Sequence, residues 1–130
     1  MRSPADPATL DRMFFALADV QRRGMLDALS RGPASVSDLA VPLGMALPSA
    51  VKHLAVLELG GFVVSQKAGR VRTYQVEPKA FEAMAVWVAK HKKQLDATFD
   101  RLDAYLAGQR RTQEQTQKLK QKQTHTKARR

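Results

Sequence analysis

Hydrophobic positions fall into four short stretches of helical spacing, then two stretches rich in β-branched residues, then one long stretch of helical spacing, after which they almost cease. Leu10, Met13, Phe14 and Leu17 recur at intervals of three and four, and Thr9 stands where it can cap the helix they define. A second helix is predicted from about Asp19 to Ser30, with Val20, Met25, Leu26 and Leu29 inward and Arg22 and Arg23 outward; Arg31-Gly32-Pro33 stops it. Ser35-Val36-Ser37-Asp38 has the form of a capping box ahead of Leu39, Ala40 and Leu43, and Pro42 and Gly44 keep that third helix short. The fourth follows almost at once. Pro48 suits its first turn, where a missing N–H is not needed, and Gly60-Gly61 ends it after Leu59.

At about 100° per residue, Leu47, Ala50, Val51, Leu54 and Leu57 group on one side of the fourth helix. Ser49, Lys52 and Val56 point away, and His53 lies on the flank, where it suits either a phosphate contact or a local hydrogen bond. Phe62 to Lys67 and Val71 to Val76 then read as two strands of a hairpin around Ala68-Gly69-Arg70, with Lys67, Arg70 and Arg72 near its tip. Pro78 opens a long helix in which Phe81, Met84, Val88, His91, Leu95, Thr98, Leu102 and Tyr105 keep alternating spacings of three and four up to Gly108.

The expected fold is mainly α with a two-stranded β-hairpin, in the order α-α-α-α-β-β-α. Two short helices joined by a tight Gly turn, the second with a small polar outer face, followed by a hairpin with a basic tip, describe a winged helix-turn-helix. Such a helix fits the DNA major groove and sets short side chains against base edges, while the hairpin reaches the neighbouring backbone or minor groove. The last helix adds a constraint: thirty residues span roughly 45 Å, more than a domain of this size covers with its own core. A homodimer through the first and last helices buries that seam and sets two recognition helices about one DNA turn, ~34 Å, apart.

Charge sharpens the picture. The chain has 130 residues and a formal net charge of +10. Residues 109–130 hold eight basic residues against Glu114 alone, so +7 of that excess lies in the tail and +3 in residues 1–108. With Leu119 as its one large apolar residue, the tail has too little to bury and is expected to be disordered, acting as a solubilising extension or a non-specific phosphate binder. The expected organisation is a flexible N-terminus at 1–8, a DNA-binding and dimerisation domain at 9–108, and the basic tail at 109–130. No cysteine is present, which excludes disulfides, thiolate metal sites and a cysteine nucleophile in this chain. No apolar run approaches a membrane span and the first residues lack a signal-peptide stretch, so a cytoplasmic protein with no membrane partner is expected.

The residues also resemble a family. Leu29-Ser30-Arg31-Gly32-Pro33, Ser35-Val36-Ser37-Asp38-Leu39-Ala40, Leu43-Gly44-Met45, Leu47-Pro48, Lys52-His53-Leu54-Ala55-Val56-Leu57-Glu58, Gly61-Phe62-Val63 and Gly69-Arg70-Val71-Arg72-Thr73-Tyr74 are similar in order and spacing to ArsR-type bacterial winged-helix repressors, over roughly residues 10–107. The resemblance implies a homodimer that binds a roughly palindromic operator in double-stranded DNA and represses transcription, with room for a small-molecule or protein effector. Three positions depart from the family pattern: Val20 where Pro follows the Asp, Ala46 where Ser caps the recognition helix, and Val51 where Ser or Thr is common. The stretch Ser35 to Asp38, where metal-sensing members carry a thiolate pair, has none here. In the last helix, His91 stands five residues from Asp96 and nine from Asp100, a spacing that does not align them on one face. The last helix, with Trp87 and Leu95 to Asp103, resembles the branch without metal sites, and no cofactor is expected.

Candidate DNA-contacting residues are therefore Ser37, Pro48, Ser49, Lys52, His53, Lys67, Arg70 and Arg72, and candidate dimer-interface residues are Leu10, Phe14, Met84, Trp87, Val88, Leu95, Phe99 and Leu102. Arg22 and Arg23 are weaker DNA candidates, with Asp19 or Asp27 as nearby carboxylates. No Ser, His and Asp arrangement suggests a triad and no Gly-rich phosphate loop occurs, so the expected function is regulation rather than catalysis. Two alternatives stand beside it: a nucleoid-type protein that coats DNA through its tail, and a partner-binding module on the same scaffold.

Overall fold

The computed structural model describes residues 6–128, with side chains as far as Gln123. Along the chain the elements are α1 (Pro7–Leu17), α2 (Val20–Leu29), β1 (Ala34–Ser35), α3 (Val36–Ala40), α4 (Leu47–Leu59), β2 (Val63–Ala68), β3 (Val71–Val76) and α5 (Pro78–Ala128). They fall into two compact units that meet after Val88.

In the first unit α1 begins two residues before Thr9, with Pro7 in its first turn and Asp6 in the cap position. Thr9 lies inside that turn, its hydroxyl donating to the Asp6 carboxylate at 3.4 Å, instead of capping the helix. Asp19 caps α2 with its side chain, accepting from the backbone N–H groups of Gln21 at 2.8 Å and Arg22 at 3.1 Å. The capping box of α3 forms as the sequence suggests: Ser35 accepts from Asp38 N–H, and the Asp38 carboxylate accepts from Ser35 N–H. Gly44 takes a φ of +66° in the tight turn between α3 and α4, a region open to glycine without steric cost. Pro48 sits in the first turn of α4 and Gly60 closes its end; Ala46 supplies no side-chain cap.

A third strand joins the hairpin. Ala34 pairs with Tyr74 and Ser35 with Thr73, giving an antiparallel sheet in the order β1-β3-β2. β1 is two residues long, too short to carry a periodicity, and adds a strand to the two-stranded hairpin expected from the sequence. β2 and β3 pair in register from Val63–Val76 to Ala68–Val71 around a two-residue turn, Gly69-Arg70. Burial, then the Glu58 carboxylate, push the Tyr74 phenol above its ordinary pKa.

The core gathers Met13 and Ala16 of α1, Met25, Leu26 and Leu29 of α2, Leu39 and Ala40 of α3, Ala50, Leu54 and Leu57 of α4, and Phe62, Val63, Tyr74 and Ala80. Phe62 meets the Phe81 ring edge-to-face at 4.8 Å, and Phe14 meets Trp87 the same way at 5.3 Å. Five inward and outward assignments change. Val20, on the opposite side of α2 from Met25 and Leu29, is exposed, whereas Arg22 is buried. Leu47 and Val51 are each 49 % exposed, because Ala50, Leu54 and Leu57 centre the packed side of α4 and leave those two at its margin. Val56, expected to point away, is half-buried against the core.

In the second unit α5 does not stop at Gly108; it runs on to Ala128, so the expected disordered tail is helical as far as Ala128, and residues 129–130 lie outside the described ones. After Gly108 the chain is mostly Gln, Arg, Lys and Thr with no proline, largely good helix formers, and one internal glycine costs only about 1 kcal/mol relative to alanine. Thr112 and Thr116 return their hydroxyls to the carbonyls of Gly108 and Thr112 at 3.0 and 2.9 Å. Val88, the last residue of the first unit, and Leu95, Phe99, Leu102 and Tyr105 of the second are all exposed.

At Gly60, the C-cap of α4, the chain passes close against α1. A Cβ there would lie 2.9 Å from Ala16 Cβ and 3.1 Å from the Arg12 carbonyl oxygen. Gly60→Ala is therefore expected to destabilise the protein by about 1–3 kcal/mol in urea unfolding. Gly108→Ala, with nothing within 4 Å of the added methyl, should leave stability unchanged or raise it by up to about 1 kcal/mol. Equal effects from the two substitutions would contradict the close α1–α4 contact.

Candidate nucleic-acid interface

α3, the Gly44 turn and α4 form the helix-turn-helix. The turn is fastened by Gly44 N–H to Val41 O at 3.1 Å and by Met45 N–H to Ala40 O at 2.9 Å. Pro48, Ser49 and Lys52 are exposed on α4, and Ser37 is exposed on α3. In the hairpin, Lys67 and Arg72 stand opposite each other in register and Arg70 occupies the turn, all three exposed. Between Glu58 and Glu77 no acidic residue interrupts this basic stretch. Arg72 sits two residues past Arg70 and is tied inward: its Nη1 donates to Ser65 Oγ at 2.9 Å, and that hydroxyl donates to Glu58 Oε1 at 3.0 Å. This relay joins the hairpin to α4.

His53 faces the other flank of α4. Its Nδ1 lies 3.3 Å from Arg22 Nη1 and its Nε2 lies 3.0 Å from Gln21 Oε1. A guanidinium only donates, so Nδ1 accepts and the proton on Nε2 goes to Gln21. Both ring nitrogens are thus used within the chain, and of the two roles open to His53 the local hydrogen bond is the one seen.

Arg22 is the residue the outward assignment misplaced. It is 7 % exposed; its Nε donates to the Ala16 carbonyl and its Nη2 to the Phe15 carbonyl, both at 2.7 Å. Arg23 Nη1 donates to the next carbonyl, Leu17 O, at 2.6 Å. Two arginines of α2 therefore supply side-chain donors to the last carbonyls of α1; the Phe15 carbonyl also accepts from the C-cap N–H of Ala18 at 3.1 Å. The Arg22 guanidinium also lies over the Phe15 ring, 5.0 Å from its centre, and 4.0 Å from Asp19 Oδ2. A signal for this was present: Arg22, Met25, Leu26 and Leu29 follow the i, i+3, i+4, i+7 pattern of a buried face, and only the charge spoke against it. The N–H of Arg22 is the main cause that holds the Asp19 carboxyl below its ordinary value of 3.8, with Gln21 N–H, the Arg22 charge and His53 adding to it against a smaller effect of burial.

A helix-turn-helix domain family matches residues 17–66, which run from the end of α1 into β2. An HTH-type transcriptional regulator of Mycobacterium tuberculosis is 38 % identical over 74 residues, covering 57 % of this chain and 69 % of that protein. The crystal structure of an ArsR family transcriptional regulator superposes with a TM-score of 0.67 at 45 % identity, covering 74 % of this chain and 97 % of that one. This chain belongs to the ArsR family. It is a DNA-binding transcriptional regulator with the winged helix-turn-helix fold. The ArsR-family neighbours include the solution structure of a homodimeric winged helix-turn-helix DNA-binding domain from Mycobacterium bovis, with a TM-score of 0.54 at 29 % identity over 67 % of this chain and 82 % of that one.

In this ArsR-family member the brace between α1, α2 and α4 predicts two outcomes. Arg22→Met keeps the stem and removes the donors, leaving the buried acceptor Ala16 O without its partner; it should cost about 1–3 kcal/mol in thermal or urea unfolding. Asp19 contributes through a lowered pKa, so its benefit is fully present above its ordinary value of 3.8 and is lost as pH falls through the lower folded value. The melting temperatures of the parent protein and Asp19→Ala should differ at pH 6 and converge in strong acid; a gap that widens on acidification would contradict the cap.

Proposed function

We propose that the protein is a homodimeric repressor that binds a roughly palindromic operator and senses neither metal nor thiol chemistry. The observation that carries this reading is the exposed outer side of α4, beside a hairpin that carries Lys67, Arg70 and Arg72 and no acidic residue within its strands, in a chain of the ArsR family. α4 enters the major groove with Pro48, Ser49 and Lys52 toward the DNA. Ser37 and the hairpin arginines reach backbone phosphates and fix the register of the protein on the duplex. His53 takes a positioning role, holding α4 to α2.

Dimerisation is supported by the run of exposed apolar residues on α5, since Leu95, Phe99, Leu102 and Tyr105 in water are an unpartnered surface that a second copy covers. The first helix joins that contact through Leu10 and Phe14, with Met84, Trp87 and Val88 completing it. The absence of cysteine leaves no thiolate for a sensor in this chain, and repression is the activity the family resemblance implies. The basic residues after Gly108 contribute phosphate attraction without sequence preference.

Arg70→Ala should weaken binding about uniformly across duplexes and lower the slope of log affinity against log salt by ~1, and Lys52→Ala should weaken operator binding. Truncation after Gly108 should reduce affinity for random duplex and preserve the ratio of specific to random binding. Loss of that ratio on truncation would instead favour a tail-driven coating protein, and a monomer by sedimentation at micromolar concentration would refute the palindromic dimer.

A further inference from the structure

The outer side of α4 is poor in groups that can hydrogen-bond to a base. From Leu47 to Ala55 the exposed side chains are Leu47, Pro48, Ser49, Val51, Lys52 and Ala55, and only Ser49 and Lys52 carry a donor or acceptor. Leu47 and Val51 are the largest of the rest, each half in solvent on the margin of α4, one turn apart. By spacing they share a side of α4 with Glu58, seven residues beyond Val51, through which the Ser65–Arg72 relay ties the hairpin to that helix.

Resting on α4 as the reading helix, we infer that Leu47 and Val51 read thymine by its C5-methyl group. Among the base edges of the major groove only thymine offers an apolar group; the others present donors and acceptors, which lose water without gaining a partner against a leucine or valine. The discrimination is thus twofold: a methyl buried against the side chains where thymine stands, and an unsatisfied polar edge where guanine or cytosine stands. Four residues of helix rise about 6 Å, close to two base-pair steps of about 3.4 Å. Each half-site therefore carries thymines within two or three neighbouring positions. Lys52 and Ser49 supply the polar contacts beside them.

The test is selection of bound duplexes from a random library with the full chain, followed by replacement of thymine by deoxyuridine in the selected sequence. Uracil keeps every hydrogen-bonding edge and lacks only the methyl. Binding should fall about fourfold for each contacted methyl removed, and the sensitivity should map to one cluster per half-site. In Val51→Ala or Leu47→Ala the same replacement should cost correspondingly less, as expected for groups in contact. A uracil duplex bound as tightly as its thymine parent, or a penalty unchanged in both variants, overturns the inference while leaving the regulator reading intact. Enrichment of no sequence at all overturns both.

Discussion

A guanidinium held inside a helical core sets the geometry of this protein. Arg22 enters α2 on the face that packs, and its charge is met by the two carbonyls at the end of α1, by His53 of α4 and by the edge of Asp19. Each partner answers a need of its own: the carbonyls at the end of α1 lack the full set of donors that a helix interior supplies, and Nδ1 of His53 takes a proton donor that fixes its tautomer. A charge in such a place is costly unless every donor finds an acceptor, so the arrangement tolerates little displacement. With Gly60 bringing α1 against α4 on the other side, the orientation of α4 follows from contacts made well away from its exposed face.

That separation explains how a nearly balanced domain serves a nucleic-acid function. The groups that position α4 are interior, polar and local. The groups offered to DNA on the proposed reading are few: one lysine, one serine and an apolar margin on α4, and three cations on the hairpin. Attraction to phosphate is supplied mainly by residues that carry no sequence information, including the eight basic residues after Gly108.

Much of the fold was legible because the local signals agree with the tertiary structure. The Ser35–Asp38 capping box, Pro48 in a first turn, the Gly44 turn and the β-branched runs of β2 and β3 each act within a few residues, and each formed as expected. The misplacements share a cause, which is that burial is decided by what an element packs against. Arg22 lies on a buried face because α1 ends beside it, and Leu47 and Val51 lie at the margin of α4 because its contact side is centred on Ala50, Leu54 and Leu57. β1 escaped because two residues carry no periodicity. The helix beyond Gly108 escaped because the scarcity of apolar residues argues against a core and says little about backbone propensity in a segment joined to an existing helix.

The central proposition, that two copies of α4 read one duplex from adjacent major grooves, is tested most directly by hydroxyl-radical footprinting of the full chain on a selected operator, with guanine N7 methylation interference on the same duplex. The proposed dimer gives two symmetric protected patches whose centres lie about 10 base pairs apart, with interference confined to the major groove at those centres. A single protected tract that lengthens with protein concentration, or interference absent from the major groove, would contradict it.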